Sequence, residues 1–169
     1  MADVLTHVLV GFIIGVGLSF RIDWLGPEHV TLVMVGALSP DLMKLALFLP
    51  DTTVSRLLGV PFSWSPLHTL GGSVLVILLG SLLLAPPYRK WSIVLLALGA
   101  VSHHVLDLAL LTPTGSSYAV FWPLWDSRPP AGGLYVSSDR WPALGAGLVA
   151  AVVWLGRRRQ DSARHPVEE

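Results

Sequence analysis

The sequence predicts an all-α fold, a polytopic membrane helix bundle with about five transmembrane helices. Hydrophobic residues make up 53% of the 169 residues, and charged residues only 13%. A soluble domain usually carries about twice that fraction of charge, so the composition favours a membrane protein. Long apolar segments account for this composition, and each of them is a candidate helix.

The apolar segments lie at residues 4–20, 30–49, 69–85, 91–111 and 141–156. A helix needs about 17–25 residues to cross the hydrocarbon layer. The fourth segment meets that length easily, the first and third lie near the lower limit, and the fifth is short. The second is long enough, but Pro40 interrupts it and predicts a kink or a new helical start.

The connection 112–140 is predicted to form a folded cap on the outer face of the bundle. It is rich in proline and glycine, yet it also carries five aromatic residues, which argues against disorder. A connection of this length in a compact protein usually has a function. The chain therefore divides into a membrane-embedded domain at residues 1–156 and a polar tail at residues 157–169.

Lysine and arginine residues predict the orientation, because cytoplasmic loops carry an excess of them. If all five segments span, Arg21, Arg89, Lys90 and the arginines at 157–159 fall on one side. That side is predicted to be cytoplasmic. The protein is then integral to the inner (plasma) membrane, and its C-terminus lies in the cytoplasm. The lipid bilayer is then the expected partner. The zero net charge gives no indication of a nucleic-acid partner, and the oligomeric state stays open.

Several ionisable side chains interrupt the apolar segments. An Asp at the centre of a membrane helix costs about 2.5–3.5 kcal/mol on insertion scales, so such residues normally pair with a partner or line a wet cavity. In the orientation above they all fall at a similar depth, toward the external face. The set is His7, Asp41, His68, His103 and Asp107, and His104 lies next to His103. A single polar site near that face is therefore predicted.

Spacing on the fourth segment strengthens this prediction. His103 and Asp107 are four residues apart, so they share one helix face with Cβ atoms about 5–6 Å apart. His104 is three residues from Asp107 and could replace His103, although it points about 100° away. Asp41 follows Pro40 and would lie at the start of a new half-helix, where negative charge is favoured.

The residue types indicate a metal site. There is no cysteine, so the ligands must be nitrogen and oxygen atoms. Imidazoles and carboxylates suit Zn²⁺, with Mn²⁺ or Fe²⁺ as alternatives, better than Ca²⁺. Five ligands exceed the usual need of one catalytic zinc, so one or two ions are expected. The expected ligands are His7, Asp41, His68, His103 and Asp107.

Taken singly, these residues also have structural interpretations. His7 suits an interfacial histidine near a helix end, and His68 suits a helix cap in its "SWSPLHTLGG" turn. Asp41 suits a helix N-terminal residue. The metal interpretation depends on all of them meeting at one place.

Four motifs resemble one bacterial family: "LTHVLVG", "GALSPDLMK", "SPLHTLGGS" and "GAVSHHVLDLALLTPTG" followed by "FWPL". These are the inner-membrane metal-dependent hydrolases of the LexA-regulated, YdjM-like group, and the resemblance covers roughly residues 4–124. It implies a metal role for the five residues above. One departure is that the family often has Arg-Gly-x-Thr before the His that opens the third segment, here His68, where this chain has Trp64, Ser65 and Pro66. More remotely, the order of ligands is similar to zinc-dependent phospholipase C and related single-strand nucleases.

The function expected from these observations is a membrane-bound metal-dependent hydrolase. It would act on a lipid or an envelope phosphoester through metal-activated water, with Asp41 and Asp107 as the catalytic carboxylates. Two alternatives remain at this point. The same residues could form the relay of a metal-ion or proton transporter, or they could tie helices together in a structural, non-catalytic membrane protein.

Overall fold

The computed structural model describes residues 3–164, and this part of the chain is helical. It contains only two isolated β-bridges and no named strand, so the all-α prediction is confirmed. The α-helices are α1 (Val4–Ser19), α2 (Pro27–Leu38), α3 (Asp51–Leu58), α4 (Leu70–Leu82), α5 (Pro86–Leu108) and α6 (Trp141–Arg164). Two 3₁₀ helices, η1 (Ser39–Leu47) and η2 (Ser65–His68), lie between them.

Five membrane spans are not confirmed by helix length and composition. Within residues 3–164, two helical stretches are long and apolar enough to cross a membrane, Pro27–Leu47 and Pro86–Leu108. Helices α1 and α4 are apolar but contain only 16 and 13 residues, or about 24 and 20 Å at 1.5 Å per residue. The hydrocarbon layer is about 30 Å thick, so length alone does not make these two helices spans.

The predicted break at Pro40 is present. Helix α2 ends at Leu38, and the chain continues as the 3₁₀ helix η1 with Asp41 in its first turn. The Ser39 hydroxyl donates to the carbonyl oxygen of Gly36 at 2.8 Å. Proline removes one helical donor and clashes with the preceding turn, which explains why the α-helical pattern stops here.

Helices α2 and α5 pack closely because each presents a glycine to the other. A Cβ atom at Gly36 would overlap the carbonyl oxygen of Leu96, and one at Gly99 would overlap the carbonyl oxygen of Val33. Such backbone approach is how small residues serve packed apolar helices. The close contact brings the end of α5 against the end of α2, where η1 begins and carries Asp41 in its first turn.

The long helices alternate in direction. Helices α1, α4 and α6 start at the end of the bundle where α2 and α5 finish. At the other end, Arg157 of α6 donates to the carbonyl oxygen of Ser19 at the end of α1, at 2.6 Å. Helix α6 continues without a break into the polar tail predicted from residue 157, and residues 165–169 of that tail lie outside the described part.

The connection 112–140 folds back over the bundle through backbone hydrogen bonds. Leu111 N–H donates to the Tyr135 carbonyl at 2.7 Å, and Gly132 N–H donates to the Leu108 carbonyl at 2.7 Å. Leu70 N–H, at the start of α4, donates to the Val120 carbonyl at 2.8 Å. The connection thus covers the end of the bundle where α4 begins and α5 finishes.

Much of the helical surface is exposed and apolar. On α4 the exposed large side chains are Val74, Leu75, Leu78, Leu79 and Leu82, and α6 presents a similar series from Leu144 to Leu155. A monomeric soluble protein rarely exposes so much contiguous apolar surface.

Candidate metal centre

The ionisable residues singled out from the sequence meet at one end of the bundle. Four elements position them: α1, η1, η2 and the last turns of α5. All are buried, with at most 7% of their surface exposed. The residues are His7, Asp41, His68, His103 and Asp107. They form the His/Asp cluster.

Asp107 lies at the centre of the His/Asp cluster. Its Oδ2 is 2.9 Å from His68 Nε2 and 3.5 Å from His103 Nε2. Its Oδ1 is 3.4 Å from His7 Nε2. His7 and His103 stack, with ring centroids 3.7 Å apart and an interplanar angle of 15°. Three imidazoles from three elements therefore surround one carboxylate.

The possible ligand atoms fall into two overlapping groups. His7, His103 and Asp107 form the first, and Asp41, His68 and His103 form the second. Within each group the ligand atoms lie within 4.8 Å of one another. These buried groups could hold a metal ion, and His103 belongs to both.

Backbone carbonyl groups fix the orientation of two rings. His68 Nδ1–H donates to the Pro40 carbonyl at 3.2 Å, and His103 Nδ1–H donates to the Ala37 carbonyl at 2.8 Å. A neutral imidazole carries one proton, so each Nε2 then presents a lone pair to the interior of the cluster. Metal-binding histidines are usually held in this way, with the second nitrogen donating to a carbonyl or carboxylate.

Without a cation, this arrangement is unfavourable. The lone pair of His68 Nε2 faces the Asp107 carboxylate, and both groups are acceptors unless a proton lies between them. Four buried atoms have no hydrogen-bond partner among residues 3–164: both ring nitrogens of His7, Asp41 Oδ1 and His103 Nε2. Leaving one buried polar group unpaired costs about 1–3 kcal/mol. A divalent cation would satisfy Asp41 Oδ1, His103 Nε2 and the acceptor nitrogen of His7, so the residues present fit a metal ion.

Asp41 has a second contact that the sequence did not indicate. Lys44 Nζ lies 2.7 Å from Asp41 Oδ2, whereas Asp41 Oδ1 is buried and has no hydrogen-bond partner among the described residues. Lys44 is three residues further along η1, so it reaches the same carboxylate from the same turn. It holds one oxygen of Asp41 and leaves the other for a ligand.

His104 does not take the place of His103. Its Nε2 is 2.8 Å from Ser73 Oγ, and its Nδ1 is 2.6 Å from the Tyr118 hydroxyl. Both ring nitrogens are therefore occupied outside the His/Asp cluster. The contact with Ser73 follows from the position of α4, because Ser73 lies on its first turns.

A cavity of about 620 Å³ adjoins the His/Asp cluster, and His68 and Asp107 line it. The connection 112–140 supplies its outer wall, including Tyr118, Trp122 and Arg128. Arg128 is exposed and has no ion-pair partner within residues 3–164. Burial and the nearby Asp107 carboxylate raise the pKa of Tyr118 far above its usual value, so its hydroxyl stays protonated and can donate.

Sequence reasoning missed Lys44, Ser73, Tyr118 and Arg128 as members of this region. Lys44 carried a signal, since a Lys three residues after an Asp shares its helix face. The others depend on how α4 and the long connection fold over α5, and no spacing in the sequence reveals that.

Residues 1–165 match the model of a family described as YdjM inner membrane protein. No curated protein and no solved structure matches the chain.

Proposed function

The chain belongs to the YdjM inner membrane protein family, and on that premise we propose that it is a membrane-bound, metal-dependent hydrolase. One observation carries the proposal: among the described residues, buried ligand atoms without hydrogen-bond partners converge beside a cavity whose wall includes the unpaired arginine Arg128. The orphaned atoms on His7, Asp41 and His103 favour an ion, and Arg128 on the cavity wall favours an anionic substrate.

Five side chains would hold the ion or ions. Zn²⁺ is the first candidate for this ion, and Mn²⁺ and Fe²⁺ are alternatives, because imidazole and carboxylate ligands suit all three. The two overlapping ligand groups would suit one ion or two, but His103, which belongs to both groups, has a single Nε2 lone pair and could bind only one ion. A divalent ion at such a site lowers the pKa of a coordinated water toward about 7 and polarises a phosphoryl oxygen.

The carboxylates and the cavity wall supply the rest of the chemistry. Asp107 lies within 3.5 Å of the Nε2 atoms of all three histidines, so its carboxylate could share an ion with them. Asp41 offers Oδ1 while Lys44 neutralises Oδ2. Arg128 and the Tyr118 hydroxyl are donors for the oxygens of a phosphoester, and Met43, Leu110 and Trp122 give the cavity an apolar side. A lipid or envelope phosphoester has both an anionic phosphate for these donors and an apolar part for this side of the cavity.

We further propose that α1, α2 with η1, α4, α5 and α6 all cross the bilayer. Their alternating direction and the exposed apolar surfaces of α4 and α6 support this arrangement. Arg21, Arg89, Lys90 and the arginines of α6 then share one side, which is cytoplasmic by the positive-inside rule. The His/Asp cluster and its cavity lie toward the external face.

Metal content and hydrolysis measured together test the proposal. The purified chain is expected to retain about one or two divalent ions, measured by elemental analysis, and to cleave a generic p-nitrophenyl phosphodiester. Asp107→Asn keeps the side-chain volume and is expected to lose both properties. His29→Ala removes a histidine outside the cluster and should keep both.

Different failures of this test have different meanings. Metal without hydrolysis of phosphodiesters or phospholipids, together with uptake of that metal into liposomes, would favour transport. A wild-type chain with no bound metal, whose content Asp107→Asn does not change, would reject the metal centre itself.

A further inference from the structure

A second cavity, of about 570 Å³, lies at the opposite end of the bundle from the His/Asp cluster. It is enclosed by α1, the start of α2 and the last turns of α6. Ser19 lines it, and His7 lies 12 residues earlier on the same helix. At 1.5 Å per residue this separates the two sites by about 18 Å along α1.

The lining of this cavity has two chemical parts. Its walls are apolar and come from two facing helices, with Phe12 and Val16 on α1 and Val30 and Met34 on α2. Its rim is polar and aromatic, and α6 supplies it. The rim residues are Trp154, Arg157, Arg158 and Asp161. A ligand that fills the whole space needs a hydrocarbon part and an anionic part.

The two arginines of the rim have different roles. Arg157 donates to the Ser19 carbonyl at 2.6 Å, and its Nε lies 3.2 Å from Asp161 Oδ1. Arg157 is thus held by the protein and neutralised by Asp161. Arg158 lies over the Trp154 ring at 5.4 Å and has no carboxylate partner within residues 3–164. The rim therefore keeps one uncompensated positive charge.

Arg158 is suited to bind a phosphate. A guanidinium over an aromatic face keeps its in-plane N–H donors free, and those donors match the oxygens of a phosphate. The cationic rim also lies at the end of the bundle that holds Arg21 and Arg89. In a membrane protein, basic pockets between helices at that level are places where anionic lipid headgroups bind.

We propose that this cavity binds an anionic phospholipid, with one acyl chain between α1 and α2 and the headgroup phosphate on Arg158. An apolar wall with a cationic rim fits an amphiphile better than a free anion, which would leave Phe12 and Met34 facing an empty cavity. The site uses no residue of the His/Asp cluster and does not depend on hydrolysis. It is a structural or regulatory lipid site.

Native mass spectrometry of the full chain tests the proposal. The protein, in a neutral detergent, is titrated with phosphatidylglycerol or with phosphatidylcholine of the same acyl chains. The wild type is expected to retain phosphatidylglycerol preferentially. Arg158→Gln should weaken that retention about tenfold or more, because a charge-assisted contact to phosphate is lost. Arg159→Gln makes the same charge change at an exposed neighbour that does not line the cavity, and should retain the lipid.

Asp161→Asn provides a variant with the opposite expected result. It removes the only carboxylate of the rim, so retention of phosphatidylglycerol should increase. This expectation also holds if Arg158→Gln fails to fold. Arg157→Gln is unsuitable as a test, because Arg157 also caps the end of α1.

Three results would overturn the proposal. Equal losses in Arg158→Gln and Arg159→Gln would reduce the effect to general surface charge. Equal retention of the two lipids would remove the role of the headgroup. Full displacement of the lipid by millimolar inorganic phosphate would indicate a site for the free anion.

Discussion

Replacing His7 by phenylalanine separates the effect of the His/Asp cluster on protein stability from its role in metal binding. His7 is fully buried, and neither ring nitrogen has a hydrogen-bond partner among the described residues. Its ring stacks on His103 with centroids 3.7 Å apart. Phenylalanine can keep the stacked ring while removing both unpaired nitrogens. The metal-free protein should therefore gain stability, whereas metal binding should be lost.

The size of the effect follows from two opposing contributions. Removing buried unpaired polar groups stabilises by about 1–3 kcal/mol for each group. The larger six-membered ring in a filled site costs about 1–3 kcal/mol. For the two ring nitrogens the gain is about 2–6 kcal/mol, so the metal-free variant is expected to range from about 1 kcal/mol less stable to about 5 kcal/mol more stable. The middle of this range, about 2 kcal/mol, corresponds to a rise in Tm of about 4–8 °C for a chain of this size.

His104→Phe is the matched control, because His104 is also buried but both its ring nitrogens are bonded. Replacing His104 by phenylalanine removes the hydrogen-bond partner of the Ser73 hydroxyl and of the Tyr118 hydroxyl. The metal-free protein should lose about 2 kcal/mol or more, or at least about 4 °C in Tm. Metal binding should persist, since His104 faces away from the cluster.

Thermal unfolding in detergent, with and without Zn²⁺, measures both effects. Wild type at a Zn²⁺ concentration of 100 Kd should gain about 2.7 kcal/mol, and His7→Phe should gain little. The reasoning fails if metal-free His7→Phe is less stable than metal-free His104→Phe. It also fails if His7→Phe keeps the full Zn²⁺-dependent rise in Tm.

Three further predictions concern other parts of the molecule. Arg128→Gln should raise KM for an anionic phosphoester about tenfold at similar kcat, while Arg140→Gln should not; equal KM values would place the substrate elsewhere. Gly99→Ala should prevent α2 and α5 from packing, because the new Cβ meets the Val33 carbonyl, whereas Gly145→Ala meets nothing within 4 Å; size-exclusion profiles and yield compare the two. Burial raises the pKa of Tyr135 to about 12, so the native state holds that proton more tightly than the unfolded state. The free energy of unfolding should therefore fall between about pH 10 and 12, and chemical denaturation should show a smaller fall for Tyr135→Phe.

The membership of the His/Asp cluster could be predicted from the sequence because each residue carries a local signal. An Asp or His within an apolar helix is costly, which restricts it to a shared polar site. The four-residue spacing of His103 and Asp107 places them on one helix face. The break after α2 could also be predicted, because proline acts on its own local backbone.

Other features depend on distant contacts and were beyond the sequence. The hydrogen-bond partner of His104 on α4 depends on where that helix lies in the fold. His103 and His104 point about 100° apart on α5, and this angle alone does not reveal which of them faces the His/Asp cluster. Tyr118 and Arg128 reach the cavity through a connection without regular periodicity. Helix α3 was missed although Gly59 at φ 71° ends it and Asp51 starts it, because eight residues give too few turns for a periodic signal.

Pro40 links the backbone break to the orientation of His103. In the 3₁₀ pattern that begins at Ser39, the Ala37 carbonyl would pair with the N–H of residue 40, and proline has none. That carbonyl is free to accept the His103 Nδ1–H at 2.8 Å, which turns Nε2 toward the ligand atoms. The proline thus leaves the Ala37 carbonyl available to orient His103, which lies 66 positions further along the chain from Ala37.

Pro40→Ala tests this link. Alanine restores a donor at position 40, so the Ala37 carbonyl gains a backbone partner and His103 loses its exclusive acceptor. The local helix should become somewhat more stable, by less than the roughly 3 kcal/mol that proline costs in a helix interior, because Pro40 lies in the first turn of η1. Metal affinity should nevertheless fall about 10–100-fold, as it does when a partner that orients a ligand is lost. A variant that is more stable yet binds Zn²⁺ as tightly as wild type would show that His103 is oriented by its packing against His7 alone.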